Sequence, residues 1–469
     1  MGPNMLLRIA ITTLVLGLAA CSSTTTVPIF NKIMPQAATA APENLNSEFP
    51  HNPSFWQGNP AQIWAKLQYI SLPKLQEAQN TVNNADQNAW IELAIISKRY
   101  STNTKQLTQE LMTWRERYPS HPGNSLFPDT AVLSNLFNTA PPKHIALLLP
   151  IQGKLAASGQ IVRNGFFNGY YQALPSIGTQ TIDFYDTSQG SVQAQYQQAT
   201  AKGADFIVGP LSKDEVQALS KTSITVPTLA LNYIDAGFGG LPNNLYEFGL
   251  LPEDEAQQIA NKARQAGYSH AIIIAPQDKW GERMVAALSK QWQSNGGSIQ
   301  QTWYFTSQTN FTTDIATLLH VNRETDQALM KEKSNRAMLE QQRRQDFDVI
   351  FLLASPSTAR QIVPLLRYYY ADKIPIYATS ETYSGQANPA ADADLNGVTI
   401  CGTPWTLRGK QTPLYALGRD AYLLSHELPR LALLPNFPIY GTTGALTVKS
   451  QEVHRRLPCV TIQNGQTTL

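Results

Sequence analysis

Cysteine is scarce in this chain, with three among 469 residues. That excludes a disulfide-dense scaffold and any four-thiolate metal site. Long apolar runs are missing as well. Beyond residue 21 no stretch approaches the ~20 residues a membrane-spanning helix needs. Neither sign of charge dominates: 36 Lys and Arg against 34 Asp and Glu leave a net +2. Composition therefore gives no electrostatic case for nucleic acid or for an anionic membrane surface. Catalytic signatures are absent too. His51, His121, His144, His270, His320, His426 and His454 are scattered, with no HExxH or other zinc spacing. There is no GxSxG elbow, Walker loop or GxGxxG turn. These gaps shift the expectation from catalysis toward binding or scaffolding, so no catalytic residue, metal or cofactor is assigned.

What is present begins at the amino end. An apolar run from Leu6 to Leu16, carrying the single base Arg8, leads to Leu18-Ala19-Ala20-Cys21. This is the layout of a secretory signal (residues 1–20) closed by a lipobox. Small Ala19 and Ala20 let a peptidase hold the extended chain closely. Cys21 then carries a diacylglycerol thioether and an acylated amine. Several acyl chains anchor firmly, since each buried CH2 contributes about 0.8 kcal/mol. Ser22, where inner-membrane lipoproteins resemble one another in having Asp, points to a Gram-negative outer membrane, facing the periplasm. In that oxidising compartment Cys401 and Cys459 are left over, either as a bridge or as two buried thiols.

A length of 469 residues leaves room for about three domains of ~150 residues. A hydrophobic fraction of 42% is enough for real cores. Residues 21–52, rich in Thr, Ala, Pro, Asn and Ser, read as a lipidated disordered tether. Residues 53–120 read as helical: Ile63, Leu67 and Ile70, then Leu107, Leu111 and Trp114, recur at i, i+4, i+7. The pair from Ala89-Trp90 to Tyr118 resembles one tetratricopeptide unit or, equally, a plain helical hairpin. Within this region Ser71-Leu72-Pro73-Lys74 has SxxK spacing but no KTG or SDN companion, and reads as chance. Residues 121–142 read as a linker and 463–469 as a flexible tail.

From His144 to Leu149 the pattern becomes a short, continuous apolar strand, and strands then alternate with helices to residue 462. Strict alternation predicts an α/β fold with parallel sheets. One predicted helix, Gln327 to Asp346, is long and highly charged, and reads as a solvated surface or a partner-contact face. Asp392 and Asp394, in a loop rich in Gly, Pro and Asn, read as turn formers.

The segment HIALLLPIQGKLAASGQIVRNGFFNGYY, His144 to Tyr171, resembles the opening of type I periplasmic binding folds, which have two α/β lobes around a cleft. More narrowly, the chain is similar to penicillin-binding protein activators of the LpoA type. Phe206-Ile207-Val208-Gly209-Pro210-Leu211, Leu229-Ala230-Leu231-Asn232, Leu250-Leu251-Pro252-Glu253-Asp254-Glu255-Ala256, Phe351-Leu352-Leu353-Ala354-Ser355-Pro356 and Asp394-Leu395-Asn396-Gly397-Val398 carry the likeness, in order. The resemblance implies a two-lobe domain over residues 143–462 behind a small all-α region. It also implies an outer-membrane lipoprotein that contacts a class A penicillin-binding protein and stimulates peptidoglycan synthesis. Many members have a longer helical array than the roughly 80 residues between tether and linker here.

The alternative is a lipid-anchored receptor for a small polar ligand. Its cleft would lie at the carboxyl ends of the strands, at Gln152, Gly153, Ser158, Gly209, Asn232, Tyr233, Ser380 and Glu381. Gly153 and Gly209 also suit tight turns, and Asn232 suits a loop cap.

Overall fold

The computed structural model describes residues 49–234, 240–322, 340–341, 343–386, 388–410 and 412–467. The signal segment, Cys21, most of the tether and most of the charged stretch 327–346 lie outside the described residues.

The amino-terminal part is a stack of helices whose starts are written in the sequence. Asn59, Asn84, Asn103 and Asp129 each accept a backbone N–H three residues on, and so begin helices Pro60–Leu67, Ala85–Arg99, Thr104–Arg117 and Thr130–Phe137. A fifth helix, Leu72–Thr81, begins after Ser71, which places Ser71 of the SxxK tetrapeptide at a helix cap. Trp64, Leu67, Trp90, Leu111 and Trp114 are buried in one core, and the Trp114 indole donates to the Ala89 carbonyl at 3.0 Å.

Two boundaries differ from the sequence reading. Phe49, assigned to the tether, is buried against Phe55 with ring centroids 5.0 Å apart. The expected linker holds helix Thr130–Phe137, whose Leu133 and Leu136 join the same core.

Residues beyond 143 form two sheets. Strands β1 (His144–Leu149), β2 (Thr181–Asp186), β3 (Phe206–Val208), β4 (Thr228–Ala230) and β5 (Leu245–Glu247) pair in parallel. Strands β11 (Ile439–Tyr440), β12 (Ala445–Lys449) and β13 (Glu452–Arg456) extend that sheet, in the order β11-β12-β13-β5-β4-β3-β1-β2. The second sheet contains β6 (His270–Pro276), β7 (Ser298–Phe305), β8 (Val349–Leu352), β9 (Ile376–Thr379), β10 (Val398–Cys401) and β14 (Cys459–Thr461), in the order β14-β10-β9-β8-β6-β7. The chain thus passes between the sheets three times, after β5, β10 and β13. Each central strand is buried on both faces, which is why β1 and β6 read as unbroken apolar runs.

Helix Pro413–Leu433 was not legible as a helix, yet it is the axle of the fold. One side packs against helix Ala156–Ile177, another against the first sheet, and its end enters the helical core through Leu434 and Phe437. Gly418 and Pro429 stand inside it, and such residues ordinarily mark where a helix ends. Three buried charged groups, Asp420, Glu427 and Arg430, break the pattern further.

Two more details correct the sequence reading. Asp392 is fully buried and pairs with Arg360 at 2.6 Å, so it is more than a turn former. Packing also runs past residue 462: Gly465 N donates to Asn396 Oδ1 at 2.8 Å and Thr467 Oγ1 to the Leu407 carbonyl at 2.7 Å.

Cys401 and Cys459 are directly opposed in the antiparallel β10–β14 pair, and the structure records them as a disulfide with Cα atoms 4.0 Å apart. Thiol titration of purified mature protein, unfolded without reductant, is expected to find neither thiol free. Two free thiols would show that the pair stays reduced.

Candidate functional site

The predicted cleft residues fall at the carboxyl ends of β1, β3, β4 and β9, as a binding site in this fold requires. Three of their six polar side chains, Asn232, Tyr233 and Ser380, are already occupied. Asn232 Nδ2 donates to the Leu211 carbonyl at 3.0 Å, and its Oδ1 accepts the Tyr233 N–H at 2.9 Å. The Tyr233 hydroxyl donates to the Val453 carbonyl of β13 at 2.6 Å, and burial pushes its pKa up. Ser380 donates its N–H and its hydroxyl to Glu255, each at 2.8 Å. Gly209 serves the backbone. It has φ of 107° beside a cis bond to Pro210, and a Cβ there would sit 2.0 Å from the Leu148 carbonyl oxygen. Gly153, with φ of 72° and open space around it, is a turn. Gln152 and Glu381 are exposed and Ser158 is half-buried. The structure therefore gathers Gly209, Asn232 and Tyr233 into one bonded loop cluster. It ties Ser380 to the start of helix Pro252–Gln265, and leaves Gln152 and Glu381 facing solvent.

Two carboxyls with no signal in the sequence flank this region. Glu255, in the first turn of Pro252–Gln265, is the acceptor for Ser380. Burial raises it to about 7 against the pull of those hydrogen bonds. Glu247, at the end of β5, accepts the Ile234 N–H at 2.8 Å and is likewise raised by burial to about 7. Between them, the crossing from β13 is braced by Arg455, whose guanidinium meets Asp254 at 2.8 Å.

The sign of the resulting pH dependence follows. An ordinary Glu has a pKa near 4.5, so between about pH 4.5 and 7 the native protein holds protons that the unfolded chain has released. Stability is therefore lost as pH rises through that window, by at most about 1.4 kcal/mol per pH unit per group. Urea unfolding across the window is expected to show a shallower fall for the Glu247→Gln, Glu255→Gln double variant than for the parent. Equal slopes would show that these carboxyls are ionised throughout.

The helical stack and the first lobe share an interface of apolar and buried polar contacts. Trp64 and Phe437 lie 5.0 Å apart, and the Trp64 indole donates to the Asn436 carbonyl at 2.7 Å. Arg430, 1% exposed, donates to the Ser101 carbonyl at 2.8 Å and pairs with Glu427, which in turn accepts the Thr104 hydroxyl at 2.6 Å. Tyr69 also accepts from Gln265, in the first helix of the second lobe, at 3.1 Å. Among the described residues no group of three His, Cys, Asp or Glu side chains is placed to hold a metal, and no helix is long and apolar enough to cross a membrane.

Comparison with known proteins gives the same architecture. The penicillin-binding protein activator LpoA of Photobacterium profundum is 26% identical over 427 residues, covering 86% of this chain and 68% of that protein. A solved LpoA from Haemophilus influenzae is 25% identical, with a TM-score of 0.57, over 86% of this chain and 72% of that one. The separately solved C-domain of the same protein, described as a regulator of PBP1A, is 25% identical with a TM-score of 0.54, and is matched over 98% of its length. A putative branched-chain amino acid transporter structure from Chromobacterium violaceum, at 24% identity and TM-score 0.53, shares the fold. The α/β fold is thus the two-lobe type I periplasmic-binding architecture behind a helical region. The profile of one family, described as LppC putative lipoprotein, matches residues 47–465, and the chain belongs to that family.

Proposed function

We propose that this protein is an outer-membrane lipoprotein, anchored through Cys21 and facing the periplasm, that binds and activates a class A penicillin-binding protein and catalyses nothing itself. The carrying observation is that the likeness to LpoA runs through both the helical stack and the two lobes, over 86% of the chain. The occupied polar groups of Asn232, Tyr233 and Ser380 support this reading over a solute receptor, since a captured solute would have to break bonds the fold already makes. Activation requires that the lipoprotein bind the working conformation of the synthase better than the idle one. A tenfold shift takes about 1.4 kcal/mol of that difference.

The test uses the chain lacking residues 1–21 but otherwise whole, because the helical stack covers Leu434 and Phe437. Added to a class A synthase from the same cell with lipid II, it is expected to raise crosslinked product severalfold and to consume no substrate alone. No effect on any such synthase, with tight binding of a small metabolite, would overturn the reading. In cells, Cys21→Ala is expected to move the protein from the outer-membrane fraction to the soluble periplasm. Retention after a high-salt wash would reject the anchor.

A further inference from the structure

A pocket of about 260 Å3 opens between helix Pro60–Leu67 and the β12–β13 hairpin. Ala61 and Ala65, both exposed, line its helical side and leave space where larger side chains would close it. Strand pairing sets Ala445 against Arg456 and Thr447 against His454, and Ala445, Thr447 and Arg456 line the opposite wall. Pro435 and Pro438 add apolar lining, and the nearly buried Trp64 and Gln68 form the floor.

The electrostatics of this place are one-sided. No Asp or Glu lines the pocket. The Arg456 guanidinium rests over the Tyr69 ring, 4.9 Å from its centroid. Behind Gln68 lies Lys98, 4% exposed, whose ammonium donates to the Gln68 carbonyl at 2.9 Å and to the Tyr440 hydroxyl at 2.8 Å. Tyr440 in turn donates to Gln68 Oε1 at 3.2 Å. Burial alone would raise the Tyr440 phenol, but Lys98 and Arg456 more than offset it and hold it low. Among the described residues no carboxylate forms an ion pair with either cation. Burial pushes Lys98 toward its neutral form, so the half-buried Arg456 is the charged group that the pocket presents to an anion.

We propose that this pocket binds a small molecule with one carboxylate and a short apolar body, with Arg456 taking the carboxylate and Ala61, Ala65, Pro435 and Pro438 flanking the body. A guanidinium fork matches a carboxylate with two parallel hydrogen bonds. The volume, below the usual 300–1,000 Å3 of drug-sized sites, limits the ligand to about a dipeptide. A single cationic end facing an apolar wall suits a ligand charged at one end. A free organic acid and the carboxyl terminus of a short peptide share this chemistry. The site is separate from the cleft and independent of the synthase reading.

Calorimetric titration of the chain lacking residues 1–21 with propionate, N-acetylalanine and inorganic phosphate tests the inference. One-site binding is expected at millimolar concentration or below. N-acetylalanine binding tighter than propionate would mark a peptide terminus, and the reverse a free acid. Arg456→Gln is expected to weaken binding at least tenfold. Ala65→Trp, which fills the mouth from an exposed position, is expected to abolish binding while leaving the melting temperature unchanged. Saturable binding of neither carboxylate, phosphate binding as tightly as the better carboxylate, or undiminished binding in both variants would overturn the assignment.

Discussion

Replacing Gly418 with Ala is expected to destabilise the protein by about 3 kcal/mol, at the upper end for overpacked cores. In an ordinary helix interior the same change stabilises by about 1 kcal/mol, because Gly is the poorer helix former. The sign reverses here because helices Ala156–Ile177 and Pro413–Leu433 touch backbone to backbone. A Cβ on Gly418 would lie 2.0 Å from the Val162 carbonyl oxygen, and one on Gly165 would lie 2.0 Å from that of Tyr415. No rotamer change relieves a clash with a carbonyl, so the helices must part. Parting them loosens Phe166 and Tyr422, whose rings meet edge to face at 5.2 Å. Gly165→Ala is expected to cost a similar amount, and the double variant less than the sum, since one separation accommodates both methyl groups. Urea midpoints of the four proteins decide it. A Gly418→Ala variant more stable than the parent would show that the helices do not touch there.

The parts of the fold legible in the sequence are those where one physical signal acts alone. Strand β3, Phe206–Val208, and helix Val192–Ala201 stand where the alternating pattern places them, because a buried parallel strand needs only an apolar run and its helix only one apolar face. Helix Pro413–Leu433 is hidden in the sequence because Gly418 and Pro429 inside it read as breakers. The β12–β13 hairpin was missed for a different reason. Its turn residues, Ser450 and Gln451, take φ of 51° and 65°, a conformation usually marked by Asn-Gly or Gly. Nothing in the pair Ser-Gln announces that turn. Helix Thr130–Phe137 did carry a signal, Asp129 ahead of Leu133 and Leu136, but flanking prolines Pro128 and Pro141 made the stretch read as a connection.

The candidate site was half legible. Strand ends locate the cleft in any fold of this type, so the positions of Asn232, Tyr233 and Ser380 followed from the strand pattern. What those side chains do did not, because their partners, Leu211, Val453 and Glu255, are brought to them by tertiary packing. Val453 lies 220 residues from Tyr233. The Arg456 pocket was invisible for the same reason: its two walls come from opposite ends of the chain, joined by the helix that the sequence concealed.

Removing the Asp420 carboxylate is expected to cost about 3 kcal/mol or more, roughly 1 kcal/mol for each buried donor it would leave without an acceptor. Asp420 is buried on helix Pro413–Leu433 and accepts four hydrogen bonds from the turn between β11 and β12. Thr442 donates its N–H at 2.8 Å and its hydroxyl at 2.7 Å, and Thr443 donates its own at 2.7 and 2.6 Å. Gly441 has to lack a side chain, since a Cβ would lie 2.4 Å from Asp420 Oδ2. Burial pushes the carboxyl toward its protonated form, and the four donors oppose that. With alanine at 420, the Thr442 N–H and both Thr443 donors lose their acceptor, and the Thr442 hydroxyl is left with the Ala416 carbonyl 3.2 Å away. Asparagine keeps the shape but turns an NH2 toward groups that are themselves donors, so Asp420→Asn is expected to recover less than half of the loss. The turn also accepts the Trp405 N–H through the Thr442 carbonyl at 3.1 Å, which ties it to the crossing after β10. Early proteolytic cutting between residues 440 and 457 is therefore expected in both variants, because the hairpin carrying Arg455 and Arg456 loses its hold on the central helix. Urea unfolding and timed proteolysis measure the two effects separately. A loss under 1 kcal/mol for Asp420→Ala, with the hairpin still protected, would mean that water or a shifted neighbour replaces the carboxylate and that the turn holds without it.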